Sequence, residues 1–149
     1  MRSDLQIIPA AAEQIEAIAA LEKSTFSLPW SEDSFTAELE NEDSHFTAAV
    51  LGGEVVGFSI LRSFFDEGEL LNIAVSPAHR GNGIGGALLE DALDYADSHG
   101  VDTVFLEVRP TNKSAVSLYK KHGFEPIAIR KNYYDEPKED AIIMRRLRK

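Results

Sequence analysis

The sequence predicts an α/β fold: one mixed sheet with helices packed on it, in the order β-α-α-β-β-β-α-β-α-β-β. Three observations carry that prediction. Over Gly83–His99 the apolar residues Ile84, Leu88, Leu89, Ala92, Leu93 and Ala96 recur at helical spacing, with Glu90, Asp91, Asp94 and Asp97 outside the stripe. Gly52-Gly53 separates two apolar runs of strand length, the signature of a hairpin. Thr103–Val108, a short run around Val104, Phe105 and Leu106, lies between two helical patterns, as the strands of an α/β sheet do.

The remaining elements run in order along the chain. Leu5–Ile8 is a short strand ended by Pro9. From Ala12 to about Phe26, Ile15, Ile18, Ala19 and Leu21 stand among acids at helical spacing, and Pro29 breaks this helix. Ser31 is suited to cap a second helix running to about Glu40, with Phe35 and Leu39 on one side. Phe46–Leu51 and Val55–Phe64 are the arms of the hairpin. A turn around Asp66-Glu67-Gly68 leads to the strand Glu69–Val75, which Pro77 ends. Gly100 stops the long helix. Ser114–His122 places Ala115, Leu118, Tyr119 and His122 on one helical face and ends at Gly123. Glu125–Tyr133 and Ala141–Arg146 form a final antiparallel pair.

The chain has 149 residues, without repeats or a Ser/Gly linker, so residues 1–149 read as one domain. Hydrophobic residues make up 44% and charged residues 27%, as in soluble globular proteins. There is no cysteine, which removes disulfides, thiolate metal sites and a cysteine nucleophile. The four histidines are scattered, and no metal site is expected. No apolar run approaches the roughly 20 residues of a membrane span, and no signal-like stretch succeeds Met1-Arg2-Ser3-Asp4, so the cytosol is the default compartment. The net charge of −10 argues against nucleic-acid binding. That charge is unevenly placed: residues 1–70 hold 3 Lys and Arg against 14 Asp and Glu, whereas residues 71–149 are nearly balanced at 12 and 11. Two readings fit, plain solubility or an acidic surface for a cationic partner.

The most informative stretch is Val75-Ser76-Pro77-Ala78-His79-Arg80-Gly81-Asn82-Gly83-Ile84-Gly85-Gly86. A strand ends, a glycine-rich loop comes next and a long helix begins, which offers unpaired N–H groups and a positive helix end to an anion. A P-loop is excluded because no Lys-Ser/Thr comes after the glycines. The dinucleotide fingerprint matches at Gly81, Gly83 and Gly86, but Pro77-Ala78-His79-Arg80 intervenes after the strand and too little chain remains for a doubly wound sheet. A third option is the Arg/Gln-x-x-Gly-x-Gly/Ala loop of the GNAT superfamily of N-acetyltransferases, which Arg80, Gly83 and Gly85 fill.

The C-terminal half adds specificity. Leu106-Glu107-Val108-Arg109-Pro110-Thr111-Asn112, Ser114–Phe124, Arg130-Lys131-Asn132-Tyr133-Tyr134 and Glu139–Met144 appear in that order, with Phe26-Ser27-Leu28-Pro29-Trp30 upstream. Together these resemble the RimI-type N-terminal-alanine acetyltransferases of the GNAT superfamily, which act on a small-subunit ribosomal protein. The resemblance covers nearly the whole chain. One departure is Leu28, where the family often has Phe before Pro-Trp.

The resemblance implies the GNAT fold, with a mostly antiparallel central sheet, and acetyl-CoA as co-substrate. It implies a pyrophosphate loop over Arg80, Gly81, Asn82, Gly83, Ile84, Gly85 and Gly86. It also implies backbone pairing of Ile73-Ala74-Val75 with the pantetheine amides. Glu107 matches the family's general base, Tyr119 the acid that protonates the CoA sulfur, and Asn112 a contact to the pantetheine arm. Trp30, Tyr133 and Tyr134 match the region facing the substrate, expected to be a basic N-terminal peptide of a ribosomal protein, with a monomer as the favoured state. Each residue also has a plainer role open to it. Glu107 fits a solvated strand end, Tyr119 a core position, Asn112 an N-cap, Trp30 a plug for the sheet, and the tyrosines a hairpin tip.

Chemistry narrows the acceptor. An α-amine with a pKa of about 8 is roughly a tenth neutral at pH 7, whereas a lysine near about 10.4 is neutral in about one part in 2,500. A single carboxylate is therefore a sufficient base for an N-terminus. The rivals are a GNAT enzyme for a lysine, polyamine or other small amine, an acyl-CoA-binding protein without catalysis, and the dinucleotide enzyme above.

Overall fold

A computed structural model describes residues 4–26, 29–135 and 137–148. Leu28, the departure from the family pattern, lies outside the described residues. The strands are β1 (Leu5–Pro9), β2 (Ser44–Leu51), β3 (Glu54–Phe64), β4 (Glu67–Val75), β5 (Thr103–Val108), β6 (Glu125–Asp135) and β7 (Lys138–Leu147). The helices are α1 (Ile15–Thr25), α2 (Glu32–Leu39), α3 (Ile84–Ser98) and α4 (Lys113–Lys121). The predicted order holds. Two short 3-10 turns, Ala12–Gln14 and Pro77–His79, add to it, so the first α-helix proper begins at Ile15 rather than Ala12.

The strands form a single sheet in the order β1-β2-β3-β4-β5-β7-β6. Every neighbouring pair is antiparallel except β4 and β5. Helices cover both faces. Ile18, Phe35, Phe46, Phe58 and Ile60 pack between the sheet and α1/α2. On the other face, Leu89, Ala92 and Leu93 of α3 meet Leu106, Val108, Tyr119 and Met144. Ser31 caps α2 by accepting the Ser34 N–H at 3.1 Å, as its position before the helix predicts.

Two features set up the site. The parallel seam between β4 and β5 is only three pairs long, Glu67↔Thr103, Gly68↔Val104 and Glu69↔Phe105. Immediately beyond it, the β3–β4 register shifts: Leu61 pairs with Leu70 and Ile60 with Asn72. Leu71 is thus an extra residue on β4, and such a bulge bends its strand. From there to Val75, β4 pairs with β3 on one edge and leaves the edge facing β5 unpaired.

One turn differs from its prediction. Gly68 is inside β4, and the loop closing the β3–β4 hairpin is Phe65-Asp66. Gly68 is small for a packing reason: a Cβ there would stand 3.0 Å from Val101 Cγ1. The final strands also run longer than predicted, so Tyr134 lies within β6 beside Tyr133 instead of after it.

Candidate active site

β5 alternates cleanly. Val104, Leu106 and Val108 face the α3/α4 core, so Phe105 and Glu107 face the opposite side. On that side the Glu107 carboxylate has 18% of its side chain exposed and receives two donors. Arg130 Nη1 donates to Oε2 at 3.0 Å, and the Tyr133 hydroxyl donates to Oε1 at 3.1 Å. The Arg130 guanidinium also lies 4.6 Å from the centre of the Tyr133 ring.

A second bulge makes this possible. In the β6–β7 ladder Arg130 pairs with Ala141 and Tyr134 with Glu139, leaving three residues of β6 opposite Asp140 alone. Asn132 turns through φ +54°, and its N–H donates to Asp140 Oδ1 at 2.8 Å. Bulges re-aim side chains, and here Tyr133 is carried over β7 to Glu107. Tyr134 is set edge-on to Tyr133 at 5.0 Å, with the Arg109 guanidinium 4.2 Å from its ring centre. Its phenol is pushed up to about 12, first by burial and then by the Glu107 charge. Glu139 fixes the hairpin to the loop after β5, accepting from the Thr111 N–H and Oγ1, both at 3.0 Å, and from Arg109 Nη1 at 3.3 Å.

Tyr119 approaches from the other face. It is 7% exposed, edge-on to Phe124 at 5.8 Å, within the cluster that holds Leu106 and Val108. Burial first, and the neighbouring Tyr134 second, raise its phenol well above the usual tyrosine range. The hydroxyl therefore keeps its proton at any physiological pH.

The glycine-rich loop joins β4 to α3. Gly81 and Gly83 both have φ +80°, which side-chain-bearing residues rarely adopt. The bond from Ala87 N–H to Gly83 O, at 3.0 Å, enters the first turn of α3. The N–H groups of Ile84, Gly85 and Gly86 therefore precede the intrahelical ladder. Gly85 and Gly86 bring that turn against Leu118 of α4. The Arg80 Nε donates to Val75 O at 3.3 Å, joining the loop to the end of β4. Asn112 caps α4, accepting from the Ala115 N–H at 3.3 Å.

Several residues join the site without a signal in the sequence. Glu69 lies on β4 on the same face as Glu107, and its proton affinity is raised by burial and then by the Glu107 charge. Glu22, 2% exposed, accepts the Trp30 backbone N–H at 2.9 Å and Asn72 Nδ2 at 2.8 Å, tying the α1–α2 connection to the β4 bulge. The half-buried Trp30 ring packs on Phe35 at 5.3 Å, at the edge of the α1/α2 core. Arg62 of β3 pairs through two hydrogen bonds with the buried Glu38 of α2. A groove of about 610 Å³ runs over this face, past Glu107, Arg130, Glu69, Asp43, Glu67 and Phe64. A second hollow of about 690 Å³ lies beside Trp30 and shares Asn41 and Arg62 with it.

A mixed sheet splayed at one parallel seam, with a bare glycine-rich helix start beside the opening, is the framework of a GNAT acetyltransferase. Residues 15–124 match the Acetyltransferase (GNAT) family, and the chain belongs to it. It is 39% identical over 126 residues to the [ribosomal protein bS18]-alanine N-acetyltransferase of Escherichia coli (strain K12), covering 83% of this chain and 84% of that one. It is 39% identical over 122 residues to the N-alpha-acetyltransferase RimI of Mycobacterium tuberculosis, covering 79% and 75%. The crystal structure of the ribosomal-protein-S18-alanine N-acetyltransferase from Escherichia coli superposes with a TM-score of 0.89 at 35% identity, over 96% of this chain and 93% of that one. The chain is an N-acetyltransferase, and its resemblance to the RimI type, read from motifs, agrees with these relatives.

Proposed function

We propose that this protein transfers the acetyl group of acetyl-CoA to the N-terminal α-amine of a protein, with alanine first and basic residues after it. The relatives' names support a small-subunit ribosomal protein as that substrate. The observation that carries the reading is the placement of Glu107 and Tyr119 on opposite faces of the sheet, at the gap where β4 and β5 part.

The chain fits acetyl-CoA. The unpaired edge of Ile73, Ala74 and Val75 offers a ladder to the pantetheine amides, in the manner of an added strand. The loop from Arg80 through Gly81, Asn82, Gly83, Ile84, Gly85 and Gly86 offers N–H groups and a guanidinium to the pyrophosphate. Asn112 can cap α4 through its oxygen and still donate through its amide nitrogen. When bound, acetyl-CoA supplies an activated thioester.

The residues around it then divide the work. The α-amine enters on the α1/α2 face, between Trp30 and the Tyr133–Tyr134 wall. Its nitrogen bonds to the acetyl carbon as the carbon–sulfur bond breaks. Glu107 takes the proton the amine loses, directly or through one water. Tyr119, kept protonated by burial, gives its proton to the sulfur on the opposite face. Proton acceptor and donor are thus separated by the sheet itself, so neither quenches the other. The carboxylates Asp43, Glu67 and Glu69 draw a cationic peptide along the groove.

The test uses two peptides that begin with alanine, continue with basic residues and contain one lysine, one peptide being blocked at its N-terminus. With acetyl-CoA, mass spectrometry should show one acetyl group on the free peptide and none on the blocked one. Acetylation of both would move the acceptor to lysine and overturn the reading.

A further inference from the structure

The tip of the β3–β4 hairpin is unusual. Phe64 is 68% exposed and Phe65 85%, with ring centres 4.5 Å apart. Phe65 closes the two-residue loop with φ +56°, a conformation that glycine or asparagine ordinarily takes. Bulky residues are rare there, so the backbone presents two adjacent phenyl rings to water at a position poorly suited to hold them. Neither ring is needed by the core. Phe64 lines the acidic groove that also holds Glu107, so the aromatic pair continues that groove.

We infer that Phe64 and Phe65 are a second anchor for the substrate polypeptide, holding an aromatic or large aliphatic side chain several residues beyond the acetylated one. This rests on the N-terminal reading above. Continuity and charge identify the occupant. A chain whose first amine lies at Glu107 and whose next residues are basic runs past Glu69, Glu67 and Asp43, and the groove leads it to the hairpin tip. The register gives the distance. Phe64 pairs with Glu67, Glu67 pairs with Thr103, and Glu107 lies four residues further along β5. At about 3.3 Å per residue along the strand and about 4.8 Å for each of two strand spacings, the separation is roughly 16 Å. An extended peptide covers that in about five residues, so the anchored side chain belongs near the fifth or sixth position. The recognition is then bipartite: carboxylates read the basic stretch and the phenyl rings read the apolar residue after it.

The experiment compares three peptides with the same first four residues: a four-residue peptide, and two eight-residue peptides with phenylalanine or serine at positions five and six. For the wild type, kcat/KM on the phenylalanine peptide should exceed that on the serine peptide by about tenfold, mostly through KM. In the double variant Phe64→Ser/Phe65→Ser that ratio should fall to about one. The four-residue peptide tells two failures apart. If the wild type acetylates it but shows no preference between the long peptides, or if the double variant keeps the preference, the anchor is wrong and N-terminal transfer stands. If none of the three peptides is acetylated, N-terminal transfer fails and the anchor fails with it. Sedimentation of both proteins adds one further outcome: a wild-type dimer that the double variant does not form would assign the rings to a second copy of the chain and overturn the proposal.

Discussion

The Tyr133 hydroxyl donates to Glu107 Oε1 at 3.1 Å from a strand that is not β5's neighbour, reaching across β7 to do so. Arg130 holds the other oxygen. An ionised carboxylate has about four acceptor positions, so these two contacts fix the group and leave room for an amine or a bridging water. Glu107 is thus held in place and still able to accept.

Glu107→Gln removes the acceptor while keeping its shape. We expect kcat to fall by about a hundredfold at pH 6.5, within the usual range for losing a general base. The deficit should shrink as the pH passes about 8, where the α-amine loses its proton unaided. Rates measured from pH 6 to 9.5 check this, and a ratio of wild type to variant that does not change with pH would reject the role.

Tyr119→Phe deletes one buried hydroxyl and keeps the ring against Phe124. The expected result is a fall in kcat of roughly tenfold to a hundredfold, with KM for the peptide nearly constant. The midpoint of thermal unfolding should move by only a few degrees. Steady-state kinetics beside a melting curve separate the chemical effect from a structural one.

Under the proposed function, Glu69 offers a charge for a cationic peptide rather than a base for the reaction. Glu69→Gln should raise KM about tenfold for peptides with basic residues after the first, and much less for peptides with neutral ones. Because burial and the Glu107 charge raise its proton affinity, Glu69 loses its charge sooner than an ordinary glutamate as the pH falls. The preference of the wild type for basic peptides should weaken in that acidic range, as a KM series would show.

Glu38 is buried, and its carboxyl is held below the usual range by the Arg62 hydrogen bond, against desolvation that acts the other way. A depressed carboxyl contributes stability above its unfolded pKa of about 4.3, which is lost as the pH falls through the folded value. Arg62→Met leaves that carboxylate buried without its partner. The cost at pH 7 should be about 2–3 kcal/mol, below the roughly 3–5 of a fully buried pair, because the Arg62 side chain is 46% exposed. In the variant, burial outweighs the remaining Ser44 hydrogen bond and raises the proton affinity of Glu38, so the gap between the two proteins should narrow as the pH falls from 7 toward 4. Urea unfolding at several pH values would show it.

Element type and order are legible in the sequence because each carries its own local signal. The α3 stripe, the Gly52-Gly53 turn and the Ser31 cap act within a few residues of themselves. Glu107 and Tyr119 stand out through motif spacing. The illegible part depends on register between distant segments. The Tyr133–Glu107 contact needs the β6 bulge, and Glu69 joins the site only through its pairing with Phe105. Glu22 looks like one more acid on an amphipathic helix, yet it is buried because Trp30 and Asn72 donate to it. Gly68 imitates a turn glycine while the turn itself falls on Phe65, a residue that carries no turn signal.

The three-pair seam between β4 and β5 has a mechanical consequence. It joins a four-stranded half-sheet to a three-stranded one, and the two share backbone bonds along only a fraction of their length. A ligand pairing with Ile73–Val75 would act as a splint across that joint. Amide hydrogens of residues 71–75 should then exchange slowly in the loaded protein and faster in the free one, and the whole chain should melt higher with acetyl-CoA present. Turnover would stiffen and relax the same joint in each cycle, so binding of the donor and cohesion of the fold become two measurements of one quantity.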